Sequence, residues 1–217
     1  MHIVSTGHGR KYLRPFFISQ QTIVPFSTFF VFLQINIKTD FMFARIKNYF
    51  LHKRLKAKKP DKIRTVCALE KANSIGVLCE ITDEDSYKAI FKIFTRLQQN
   101  NTIVHLIGYI DEKYVPFYCL QQLSADYFCQ KQLTWCGEPN MIQVTDFINR
   151  DFDILLDFNY RYHAPIEAIL ATSHAHFVVG SCADYKDLYD LTIQTDSGNY
   201  DQFLASAFNY THKLAGK

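Results

Sequence analysis

The residues best suited to chemistry lie in one short segment, Asn159-Tyr-Arg-Tyr-His163, where aromatic side chains alternate with a cation and an imidazole. Arginine and histidine beside aromatic rings can hold an anionic or planar ligand, because both stack on rings and donate hydrogen bonds. Asp157 precedes this segment, at the end of an apolar run. We therefore predict a ligand site formed by Asp157, Asn159, Arg161 and His163, with ordinary surface aromatics as the alternative.

Cys182 is the one residue we weigh as a nucleophile, with His163 or His174 as its base. The alternative is a small residue in a turn, and the sequence favours that alternative. Neither a Gly-x-Ser-x-Gly nor a His-Glu-x-x-His motif occurs in the sequence. We therefore assign no catalytic residue.

The six cysteines include no Cys-x-x-Cys pair, and their spacing to histidines matches no usual zinc site. This pattern predicts reduced, partly buried thiols in a cytoplasmic protein and no bound metal.

Nucleotide-binding motifs are also absent: neither Gly-x-Gly-x-x-Gly nor a phosphate-binding loop with Gly-Lys-Ser/Thr occurs. The turn after the first apolar run is Thr82-Asp-Glu-Asp85. Three carboxylates at a helix N-terminus satisfy the helix dipole themselves and repel phosphate. We therefore expect no dinucleotide and no other cofactor.

An alternation of apolar runs and helical patterns positions these residues. The near-continuous apolar run Ser74–Ile81 predicts a strand buried on both faces, and Thr82 is the predicted cap of a helix that extends to about Gln99. Further strands are predicted at 102–110, 125–129, 152–158 and 176–180, with an edge strand at 188–194. Further helices are predicted at 141–149, from Pro165 onward, and at 201–214.

Strands that alternate with helices predict an α/β fold. We expect a Rossmann-like, mostly parallel five-stranded sheet with helices on both faces, preceded by a basic amphipathic helix. The expected strand order is 3-2-1-4-5, which places the topological switch between the first and fourth strands. A ligand would bind beyond the carboxyl ends of those strands, and the residues expected there are Thr82, Asp83, Asn159, Tyr160, Arg161 and His163.

Charge is distributed unevenly along the chain. Residues 42–64 carry a net charge of +8, whereas residues 65–217 carry a net charge of −8. Residues 43–59 read as a basic amphipathic helix that ends before Pro60, and its predicted apolar side consists of Phe43, Ile46, Tyr49, Phe50 and Leu55.

This helix predicts contact with an anionic partner, either RNA or a membrane surface. The residues expected to touch the partner are Lys53, Arg54, Lys56, Lys58 and Lys59. The alternative is a helix that folds back onto its own acidic domain.

Residues 1–41 differ from the rest, with a basic start and an apolar stretch over 23–37 that is shorter than the roughly 20 residues needed to span a bilayer. No cleavage site follows it, and Met42 opens a segment suited to a true N-terminus. We predict that 1–41 is a poorly structured or non-native extension, with an interfacial anchor as the alternative. Residues 42–64 are then a helix and linker, and 65–217 a single α/β domain.

The stretches Phe152–Asn159 and Ser173–Gly180 resemble a family of uncharacterised Bacteroidota proteins, a domain of unknown function. Members of that family begin near a segment like Lys47-Asn-Tyr-Phe50 and continue through one like Ser74-Ile-Gly-Val77. The resemblance covers residues 42 to about 215. It implies a start at Met42 and no known activity.

The same strand–helix–strand unit is similar to the N-terminal half of heptosyltransferase-type glycosyltransferases. This likeness covers some thirty residues. Those enzymes bind their nucleotide-sugar donor mainly in a C-terminal half, which we do not expect within this sequence.

Together these features predict a non-catalytic cytoplasmic binding or interaction module whose basic helix contacts an anionic partner, with peripheral membrane association as one form of that contact. The alternative is a glycosyltransferase-like enzyme or small-molecule binder that uses the crevice at the strand switch point. An open crevice would favour ligand binding, whereas one filled by Tyr160 and Tyr162 would favour the interaction module. The sequence makes no prediction of oligomeric state.

Overall fold

The computed structural model describes residues 46–47, 49–55, 64–99 and 102–216. Within these ranges, six strands form one sheet. Their bounds are β1 Ser74–Glu80, β2 Ile103–Ile110, β3 Ala125–Cys129, β4 Ile154–Asp157, β5 Val178–Gly180 and β6 Leu191–Thr192. The order is β3-β2-β1-β4-β5-β6, and every neighbouring pair is parallel. The predicted α/β fold and order are confirmed, with six strands rather than five.

Helices cover both faces of the sheet. The α-helices after residue 64 are α1 Glu84–Gln98, α2 Ile142–Ile148, α3 Ala164–Thr172 and α4 Tyr200–Ala215. One buried cluster joins α1 and α4 to the sheet, and a second joins α2 and α3 to the opposite face. Val77 belongs to the first cluster and Leu78 to the second, which is why β1 is apolar at almost every position.

Helix α1 begins one residue later than predicted. Asp83, not Thr82, is its N-cap: the Ser86 backbone N–H donates to Asp83 Oδ1 at 2.7 Å, and the Asp83 N–H donates to Ser86 Oγ at 3.1 Å. The extended backbone at Asp83 places its carboxylate where it can accept the hydrogen bond from the Ser86 N–H. Pro165 lies in the first turn of α3, as predicted.

The edge strand is much shorter than the predicted 188–194. Its first predicted residue, Leu188, ends the 3₁₀ helix Ala183–Leu188, and only Leu191–Thr192 pair with β5. Two residues suffice because Ile193 also bonds back, donating its N–H to the carbonyl of Gly180 at 2.9 Å.

Residues 46–47 and 49–55 are helical; we call them the N-terminal helical segment. Leu51 is fully buried and Leu55 nearly so, and both pack against Ala168 of α3. The predicted apolar side omitted Leu51 and included Ile46, Tyr49 and Phe50, which are exposed. The docked side is set by the small alanines of α3, which let leucines four residues apart approach closely.

Some predictions fall on residues outside the described ranges. These are residues 1–41, Phe43, Lys56, Lys58, Lys59 and Pro60. Among the helices of the described ranges, none combines the length and the hydropathy needed to cross a bilayer.

Candidate functional site

An open crevice of about 500 Å³ lies beyond the carboxyl ends of β1 and β4. These strands are neighbours, and the helices that follow them, α1 and α3, pack on opposite faces of the sheet. This divergence leaves the space that forms the ligand site in doubly wound α/β sheets. Its polar and aromatic lining includes Glu80, Thr82, Asp83, Asp85, Ser86, Asn159, Tyr160, Arg161 and Tyr200.

The crevice is acidic. Glu80, Asp83 and Asp85 line it, against Arg161 as the cation. A smaller hollow of about 220 Å³ shares Glu80 and Arg161 with it and adds two more acidic residues, Asp111 and Glu112. A site with this excess of carboxylates attracts cations and repels anions.

Arg161 is held by a carboxylate. Its Nη2 lies 2.6 Å from Glu80 Oε1, its Nε lies 3.3 Å from Glu80 Oε2, and Nε2 of His163 lies 3.1 Å from Glu80 Oε1. Burial raises the pKa of Glu80, but the hydrogen bonds and charges of His163 and Arg161 outweigh this and hold the pKa below its usual value. The guanidinium is thus already neutralised by an ionised partner.

Asp157 lies behind the crevice, fully buried. It accepts hydrogen bonds from the Tyr189 hydroxyl at 2.5 Å, from the Asn159 backbone N–H at 3.2 Å and from the Asn159 side-chain amide. Burial dominates over these bonds and raises the pKa of Asp157 to about 7. Its role is to fix Asn159, because the amide nitrogen of that residue is committed to it.

Asn159 itself lines the crevice. Its Oδ1 is buried and has no hydrogen-bond partner among the described residues. Buried polar atoms are nearly always paired, so an unpaired acceptor at a cavity wall favours a ligand that donates a hydrogen bond.

Two tyrosine rings stand close together in the crevice wall. The centroids of Tyr160 and Tyr200 are 5.9 Å apart with their planes at 43°, and Phe158 packs edge-on against Tyr200 at 6.0 Å. Ring faces beside carboxylates suit a positively charged group, which both the π-electrons and the negative charge attract.

The structure brings together most of the residues predicted for this crevice. Thr82, Asp83, Asn159, Tyr160 and Arg161 line it, whereas Asp157 and His163 are not among its lining residues. His163 occupies the N-cap position of α3 without a side-chain capping hydrogen bond, and its ring centroid lies 5.3 Å from that of Tyr109.

Sequence reasoning missed Glu80, Asp85 and Tyr200 as lining residues. An acid that ends the central strand was a usable signal for Glu80. For Tyr200 there was none, because its place in the wall depends on how α4 packs against the sheet.

Cys182 does not offer a nucleophile. It is buried, at the start of the 3₁₀ helix Ala183–Leu188, and burial raises the pKa of its thiol. The neutral thiol is therefore favoured at ordinary pH. None of the six cysteines forms a disulfide, and within the described ranges no group of three His, Cys, Asp or Glu side chains could hold a metal ion.

Of the five residues predicted to touch an anionic partner, Lys53 and Arg54 lie within the described ranges. Lys53 is exposed in the N-terminal helical segment. Arg54 Nη1 lies 3.3 Å from Glu138 Oε2, so this cation already faces the acidic domain.

Comparison with known proteins identifies the family of this chain. A family model described as a family of unknown function, DUF6913, matches residues 45–214. No curated protein matches the chain. The expected membership of a domain of unknown function is confirmed, whereas the likeness to heptosyltransferases stays a prediction. The match spans more than half of the 217 residues, and the chain therefore belongs to the DUF6913 family of unknown function.

Proposed function

We propose that this protein binds a small organic cation in the crevice at the carboxyl ends of β1 and β4. The observation that carries the proposal is an open cavity of about 500 Å³ that combines carboxylates with aromatic rings. This volume lies within the range of roughly 300–1,000 Å³ typical of small-molecule sites.

Electrostatics favour a cation over the anion that Arg161 and His163 led us to expect. Arg161 is paired with both carboxylate oxygens of Glu80 through Nε and Nη2 of its guanidinium. The N-terminus of α1, the other feature that could attract an anion, is capped by Asp83 and followed by Glu84 and Asp85. Its dipole is therefore already compensated by carboxylates.

Three groups would recognise the ligand. Asp85 is exposed, and its carboxylate has no hydrogen-bond or ion-pair partner among the described residues, so it is available to an ammonium group. Asn159 Oδ1 supplies an unpaired acceptor for an N–H donor. The rings of Tyr160 and Tyr200 supply an apolar wall for the rest of the molecule.

The proposal is tested by thermal shift with three probes of matched size and different charge: 2-phenylethylamine, 2-phenylethanol and phenylacetate. Choline and putrescine extend the cationic arm. A ligand that binds only the folded state raises the melting temperature. We expect at least one amine to stabilise the protein and phenylacetate to have no effect. Stabilisation by phenylacetate alone, or by none of the amines, would overturn the proposal.

A further inference from the structure

An exposed cluster of apolar side chains lies on the N-terminal helical segment and the loop that carries Trp135. We call Ile46, Tyr49, Phe50 and Trp135 the aromatic patch. The exposed fractions are 63% for Tyr49, 42% for Phe50 and 59% for Trp135. The rings touch one another, with centroids 5.7 Å apart for Tyr49 and Phe50 and 5.4 Å apart for Phe50 and Trp135.

The orientation of the segment keeps this patch in solvent. Leu51 and Leu55 are buried against Ala168, so Ile46, Tyr49 and Phe50 lie on other sides of the segment, where they are exposed. Phe50 and Trp135 come from distant parts of the chain, so the patch is built by the tertiary structure. Contiguous exposed apolar groups of this kind mark interaction surfaces.

Positive charge accompanies the patch. Lys47 and Lys53 lie in the same helical segment and are exposed, and residues 42–64 carry a net charge of +8. Lysines around exposed tryptophan, tyrosine and aliphatic side chains match the interface of an anionic bilayer, where rings lie at headgroup depth and lysines meet acidic headgroups.

We propose that the aromatic patch docks on an anionic membrane surface. RNA fits the same region less well, because Arg54, the cation best suited to grip a phosphate, is held by Glu138 at 3.3 Å. Ile46 has no ring on which a base could stack, whereas an aliphatic side chain inserts readily among acyl chains. The proposal does not depend on ligand binding in the crevice.

The experiment uses the fluorescence of Trp135, the sole tryptophan of the chain. The chain of residues 1–217 is titrated at low salt with vesicles of phosphatidylcholine containing phosphatidylglycerol, with pure phosphatidylcholine vesicles, and with poly(U). We expect a blue shift of the emission with the anionic vesicles only, and quenching when the lipids carry bromine on their acyl chains.

Variants assign the binding to the patch. Phe50→Ser should weaken partitioning about tenfold, because the ring is the largest apolar group next to Trp135. Replacing either Lys47 or Lys53 with Gln should weaken partitioning onto anionic vesicles about fivefold. Phe117→Ser is the matched control, since Phe117 is also exposed but lies in another loop, and it should bind like the wild type.

Four results would overturn the proposal. They are the absence of a blue shift with anionic vesicles, equal weakening by Phe50→Ser and Phe117→Ser, a tighter response to poly(U) than to vesicles, and a blue shift that depends on protein concentration alone. The last result would identify a second copy of the chain as the occupant of the patch.

Discussion

The buried carboxyl of Asp157 makes the stability of the protein depend on pH in a defined direction. It is fully buried, and its pKa is raised from an ordinary value of 3.8 to about 7. The hydroxyl of Tyr189, the amide of Asn159 and the charge of His163 each favour the carboxylate. Desolvation nevertheless dominates, so the folded state prefers the neutral acid.

The sign and size of the effect follow from proton linkage. Between pH 4 and 7 the folded protein holds a proton on Asp157 that the unfolded chain has lost. Stability is therefore greatest at low pH with respect to this group, falls as the pH rises, and levels off above pH 7. While the acid stays protonated, the free energy of unfolding falls by about 1.4 kcal/mol per pH unit. Because this slope decreases as Asp157 begins to ionise near pH 7, the total loss from pH 5 to pH 7 is about 2 kcal/mol.

Urea unfolding at pH 5, 6, 7 and 8 measures this loss. Asp157→Asn removes the titration while keeping a polar group of the same shape, so its profile should lack the loss of about 2 kcal/mol between pH 5 and 7. Asp187→Asn is the control, because Asp187 is exposed, and its profile should run parallel to the wild type. Parallel profiles for the wild type and Asp157→Asn would refute the reasoning.

Three further substitutions and one exposed control test the packing and the helix cap by urea unfolding. Leu51→Ala should lower the free energy of unfolding by about 3 kcal/mol if the N-terminal helical segment is part of the folded domain. Ile46→Ala, at an exposed position, should lower it by less than about 1 kcal/mol, and equal losses would contradict the docking of the segment. Asp83→Ala removes the cap of α1 and should cost about 1 kcal/mol, and an unchanged midpoint would show that the cap is dispensable. Gly180→Ala places a methyl group into the ring of Tyr189 and should cost about 1–3 kcal/mol; a neutral result would mean that this ring can move away freely.

The sheet was predictable because its strands carry strong local signals. Ser74–Glu80 is apolar almost throughout, and Ala125–Cys129 has the bounds expected from the sequence. Alternation with helices then restricts the topology, and the handedness of the crossovers leaves few orders to choose from. The edge strand was predicted over 188–194, but only Leu191–Thr192 pair with β5, because the apolar content of that stretch does not show where pairing with the sheet begins and ends.

The location of the crevice followed from the strand order, but its charge did not. Arg161 and Glu80 are 81 residues apart in the chain, and only the tertiary structure shows that they neutralise each other. The same limit explains the N-terminal helical segment. Leu51 and Phe50 are neighbours in sequence, and which of them is buried depends on the alanines of α3.

Isothermal titration of the protein with the amine that gives the largest thermal shift tests the central claim most directly. It is performed on the wild type, on Asp85→Asn and on the control Glu84→Gln. Glu84 lies on the same helical turn as Asp85, but it is not a lining residue of the crevice and its carboxylate pairs with Lys88 at 2.8 Å. Binding of an organic cation in the crevice predicts that Asp85→Asn weakens the affinity about tenfold, the loss of one charge-assisted hydrogen bond, and that Glu84→Gln leaves it unchanged. Equal affinities for all three proteins, or no heat of binding with the wild type, would contradict it.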